Sequence, residues 1–95
     1  MTDQFDLGRQ AGREAMNAPD TFKVSQWNDD YTLGFVTGYG DRQGFSQASS
    51  SYGANVIGEL GAKYGLPLED LLELVDSTFY RDVRAGYGAG EGDFK

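Results

Sequence analysis

Four carboxylates fall within eight consecutive residues: Glu69, Asp70, Glu73 and Asp76. On a helix, steps of four and three place Glu69, Glu73 and Asp76 on one face, with Asp70 beside them. Such a row is able to do three kinds of chemistry: acid–base catalysis, hard-cation binding, or display of negative charge to a basic partner. Composition narrows the choice. The chain has no histidine and no cysteine, which removes the common ligands of zinc, copper, haem and iron–sulfur centres and both the Ser-His and Cys-His nucleophile arrangements. Nothing has the D-x-[DN]-x-[DN]-G spacing of a calcium loop. The adjacent acids Asp29 and Asp30 stand where a helix begins, and carboxylates there act as caps rather than as a general acid and base. The reading is no enzyme, no metal and no cofactor.

Display of charge remains. Fifteen acidic residues against eight basic ones leave a net charge of −7, which repels nucleic acid and anionic membrane and attracts a basic partner. Glu69, Asp70, Glu73 and Asp76 are therefore the candidate partner-binding residues. A solvated face that keeps a small protein soluble is the plain alternative. Arg42 is a candidate for holding an anionic ligand, against a capping role suited to arginine in a helix's last turns. The six tyrosines offer contact surface or fill the core.

The elements that position these residues are helical. Phe5 to Met16 repeats small and apolar residues at helical spacing, ending near Asn17 to Asp20 ahead of Pro19. Thr21 to Trp27 has no period and reads as extended chain or one irregular turn. Asn28, Asp29 and Asp30 cap a second helix running to about Phe45, apolar or small around most of its circumference and so central to the fold. Its later turns are expected to bend or fray at Gly40 and Gly44. A third helix starts near Ser50, buries Gly53, Val56, Ile57, Leu60, Gly61 and Tyr64, and stops at Gly65. LPLEDLLELVD, Pro67 to Asp76 at its helical limits, puts Leu68, Leu71, Leu72 and Val75 on one face opposite the acidic row. Phe79 to Tyr87 continues that helix or forms its own, and residues 88–95 read as a flexible glycine-rich tail.

The glycines of GFVTGYG, Gly34 to Gly40, have a spacing that some dinucleotide-binding turns share. Polar WNDDYTL precedes them, however, where a phosphate turn would need a buried strand. FDLGRQAG and YTLGFVTG share the pattern aromatic, any residue, Leu, Gly, three residues, Gly. Gly8 with Gly12, and Gly34 with Gly38, then read as notches that let two helix backbones approach.

These same residues resemble the YghW-like family of small uncharacterised proteins of enteric bacteria. The likeness lies in FDLGRQAGREA, DYTLGFVTGYGDR, YGLPLE and RAGYG. It rests on Phe5, Gly8, Ala11, Gly12 and Ala15; on Asp30, Tyr31, Gly34, Phe35, Val36, Gly38, Tyr39 and Arg42; on Tyr64, Gly65, Leu66 and Glu69; and on Ala85, Gly86 and Tyr87. What the resemblance implies is a compact bacterial or mobile-element protein; it brings no activity and no catalytic residue.

The sequence thus predicts an all-α fold, a compact bundle of four or five short helices with glycine-mediated close packing, in one domain over residues 1–87 with a tail over 88–95. The expected function is that of a small acidic protein-binding module. One concrete version is a phage or mobile-element inhibitor, of the anti-CRISPR type, that blocks a host defence complex by covering a basic, nucleic-acid-binding surface. The alternative is a small-ligand or regulatory module with Arg42 and nearby tyrosines around a pocket. No direct contact with nucleic acid or membrane is expected. Without cysteines, a leader or an apolar run near 20 residues, a cytoplasmic setting is expected.

Overall fold

The computed structural model describes residues 3–92. Six α-helices and one 3-10 turn follow in order: α1 (Gln4–Glu14), α2 (Thr21–Val24), α3 (Asp29–Ser46), α4 (Ser50–Lys63), α5 (Leu68–Leu72), the 3-10 turn Ser77–Phe79, and α6 (Tyr80–Gly92). No strand occurs among the described residues, so the protein is all-α. The helix starts are dictated by short polar side chains that satisfy otherwise unpaired N–H groups. Asp3 accepts from Asp6 N, Asp20 from Lys23 N, Asn28 from Tyr31 N, and Ser49 from Tyr52 N, at 2.8, 2.9, 2.8 and 3.1 Å.

Glycine decides how the helices meet. A Cβ on Gly8 would overlap the carbonyl oxygen of Tyr31, and one on Gly12 that of Phe35; reciprocally, Gly34 faces Phe5 O and Gly38 faces Arg9 O. Residue numbers rise together along both helices, so α1 and α3 run parallel with their backbones in contact. The same construction recurs between α4 and α6: Gly58 faces Val83 O, Gly86 faces Asn55 O, and Gly90 faces Glu59 O. In each pair a glycine faces the carbonyl three residues before its counterpart, which allows weak Cα–H···O contacts along the seam. Parallel neighbours need a crossover, and each crossover contains a short helix, α2 in one and α5 in the other.

The two units join through an antiparallel α3–α4 hairpin. A Cβ on Gly53 would come within 2.7 Å of Gly40 O and 3.1 Å of Gly44 Cα. Gly40 and Gly44 therefore do not fray α3, which continues to Ser46; contact with α4 outweighs their poor helix propensity. Ala48 turns the chain between them at φ 53°, the left-handed region.

The aliphatic core lies mostly in the second unit, where Ala54, Ile57, Leu60, Leu66, Leu71 and Val83 cluster with Val36. In the first unit Trp27 packs on Tyr31 and Phe35, with ring centroids 4.9 and 5.1 Å apart. No tyrosine is fully buried: Tyr31, Tyr39, Tyr64, Tyr80 and Tyr87 are half-buried and Tyr52 is exposed. Tyr64 donates to Pro19 O at 2.6 Å and Tyr87 to Leu66 O at 2.8 Å, so each ties a connecting segment to the bundle. The radius of gyration is 12.0 Å, close to the roughly 12 Å expected of one compact domain this long.

Two further expectations need correction, and a third reading, open between extended chain and a turn, resolves as a turn. The helix read through Asp76 stops at Leu72, because Asp76 has extended backbone (ψ 145°) and its carboxylate accepts Thr78 N at 2.9 Å and Thr78 Oγ1 at 2.8 Å, starting the next turn instead. Thr21 to Trp27 holds one helical turn capped by Asp20. The expected tail from residue 88 is helical as far as Gly92, since Gly90 seats against the backbone at Glu59; its remainder, residues 93–95, lies outside the described residues.

Candidate functional site

The acidic row follows the crossover of the second unit. Glu69 and Asp70 occupy the first turn of α5, where carboxylates suit the helix N-terminus, and Glu73 is its C-cap, where a carboxylate faces the unfavourable end of the dipole. Asp76 caps the 3-10 turn, and the Thr78 backbone N–H, then the Thr78 hydroxyl, hold its carboxyl below the usual range, so it stays charged. Glu69, Glu73 and Asp76 are exposed; Asp70 is half-buried. None of the four has a basic partner among the described residues, whose one ion pair is Arg9 with Asp41 at 3.4 Å.

Because α5 ends early, the four carboxylates do not form one continuous helix face. Asp70 lines a groove of about 530 Å³ on one side. Asp76 lines a smaller cavity of about 260 Å³ with Leu74, Val75, Phe79 and the Gly40–Gly44–Gly53 seam on another. Glu69 and Glu73 are exposed and line neither cavity.

The larger groove brings together residues that sequence reasoning kept apart. Trp27 comes from the segment after α2, Asp29 and Thr32 from the start of α3, Lys63 and Tyr64 from the end of α4, and Asp70 from α5. Of these, Asp70 is the one that the sequence singles out for partner binding by its charge; the others meet it only through the fold. Lys63 Nζ lies 5.9 Å from the centroid of the Tyr64 ring. Burial, followed by the neighbouring Tyr39 and Asp20, pushes the Tyr64 phenol up to about 12.

Arg42 caps: its Nη1 donates to Arg13 O, one of the free carbonyls at the end of α1. The shallow cavity beside it is lined by Arg13, Asp41, Arg42 and Phe45, with no tyrosine among them. Phe45 is 88% exposed there, and Met16 and Phe22 are 87% and 75% exposed, far more than rings and thioethers at a packed surface. Among the described residues no group of three or more His, Cys, Asp or Glu is placed to hold a metal ion. No helix among them is long and apolar enough to cross a membrane.

The fold and its surface define a class: a small all-α protein of two glycine-seamed parallel helix pairs, carrying an unpaired acidic edge. The chain belongs to the family described as "Protein of unknown function (DUF2623)", whose pattern it matches over residues 1–91. No curated protein and no solved structure matches it.

Proposed function

We propose that this protein is a non-catalytic module that binds another protein, presenting the edge from Glu69 to Asp76 to a basic surface. The observation that supports the reading is the state of those four carboxylates: no base among the described residues pairs with them, in a chain of net charge −7. Glu73 adds to it, since a carboxylate at the end of α5 opposes the local dipole. Charge of this kind chiefly speeds and selects encounters with an oppositely charged partner. A partner that normally grips a nucleic-acid backbone has such a surface, and an inhibitor of a defence complex is one concrete form.

The test is affinity capture at low salt, followed by measurement on the purified pair. Glu69→Gln/Glu73→Gln, which spares the cap at Asp76, is expected to weaken binding about tenfold and to flatten its salt dependence. Nucleic acid is expected to compete. Unchanged affinity in that variant, with nucleic acid and this protein bound to the partner together, would show that the acidic edge is only a solvated surface.

A further inference from the structure

We propose that the groove between α2, the start of α3 and the α4–α5 junction is a guanidinium site, which takes an arginine side chain of the basic partner. The inference rests on the protein-binding reading above and names the anchor of that contact. The volume, about 530 Å³, is ample for one long side chain with part of its backbone. Two carboxylates line it from different elements, Asp29 at the start of α3 and Asp70 in α5. Asp20, the N-cap of α2, is near enough for its charge to act on Tyr64. Against these stands one base, Lys63, at the end of α4, where the helix dipole and the Tyr64 ring both favour an ammonium.

The rest of the lining selects among cations. Val24, Trp27, Leu66 and Pro67 supply apolar and aromatic wall, which a bare metal ion cannot use and an aliphatic stem with a flat charged end can. Guanidinium stacks on aromatic faces and donates in a planar fork to carboxylates; ammonium does neither as well. An anion would meet two carboxylates for one lysine. Arginine is also among the residues that most often dominate binding energy in protein interfaces.

Trp27 is the only tryptophan and lines the groove together with two neighbouring cavities, so its emission is read with the amides of residues that line the groove alone. The full chain is titrated with acetyl-Gly-Arg-Gly-amide and with the same peptide carrying citrulline, the neutral isostere, while amide shifts are followed by NMR. The expected result is saturable binding of the arginine peptide alone, shifting Trp27 emission and the amides of Thr32, Gly65 and Leu66. Asp29→Asn and Asp70→Asn, both tolerated near a helix start, are each expected to weaken it about tenfold, and Glu73→Gln to change it less than about twofold. Equal binding of the citrulline peptide, no binding of either, or unchanged affinity in Asp29→Asn overturns the site. Shifts confined to the edge at Glu69 and Glu73 overturn the groove and leave the acidic-module reading standing, which the partner measurement tests on its own.

Discussion

The two parallel pairs share one geometry and are held by different forces. In α4/α6 the glycine seam is reinforced by side chains: Ile57, Leu60 and Val83 are buried beside it and Leu66 and Leu71 close over them. In α1/α3 the first helix buries only Gly8 and Gly12, so its attachment depends on backbone contact, on partly buried Phe5, Ala11 and Ala15, and on Arg42 at its end. A further difference lies at one corner. Where α1/α3 has four glycines, α4/α6 has Ala62 facing Gly90; a Cβ on Gly90 would lie 2.9 Å from the Ala62 methyl and 2.5 Å from Glu59 O. Close helix approach thus needs small residues at the seam, whereas resistance to separation needs apolar side chains around it.

The sharpest way to break this contrast is to substitute matching glycines in parallel. Gly34→Ala and Gly86→Ala each drive a methyl onto a carbonyl oxygen of the facing helix, and backbone cannot swing aside as a side chain can, so each is expected to cost about 3 kcal/mol. In Gly86→Ala the loss is global, and the melting temperature falls by roughly 12 °C or more. In Gly34→Ala α1 lets go first: hydrogen exchange shows its amides unprotected while those of α4 and α6 keep theirs. Cooperative loss of both units in both variants would mean that they are not separable.

A smaller effect tests the tie between units. Tyr64→Phe removes the bond from α4 to Pro19 O and is expected to cost about 1 kcal/mol. The folded phenol is raised from 10.0 to about 12, so its contribution is complete below pH 10 and is lost as pH climbs through 12. The variant is expected to lack that alkaline component; an identical profile would place the cause elsewhere.

Smallest is the control. Gly88 has nothing within 4 Å of its missing side chain and lies inside α6, so Gly88→Ala is expected to stabilise by up to about 1 kcal/mol in thermal melts. Destabilisation there would show that α6 glycines serve something other than the seam.

Much of this was legible beforehand. Caps and apolar periods located α3 and α4 closely, and the echo of Gly8/Gly12 in Gly34/Gly38 correctly announced a helix–helix seam. What remained hidden depends on neighbours distant in sequence. Gly40 and Gly44 looked like weak points because propensity is local, while Gly53, which they meet, is not. Gly90 looked like part of a loose tail for the same reason, although it seats against the backbone at Glu59. The early stop of α5 was written in Asp76, Ser77 and Thr78, whose capping chemistry outweighed the leucine period. The candidate site was half visible: the acids could be found by spacing, but their division between two cavities and the meeting of Trp27, Asp29, Lys63 and Tyr64 follow from the crossovers.

A seam made of bare backbone also governs the order of events when the chain acquires its shape. With eleven residues, two of them glycine, α1 is shorter than a helix that persists alone in water, so it winds up only as it lands on α3. Cut loose, the same segment would be random coil, and its winding and docking are one transition rather than two.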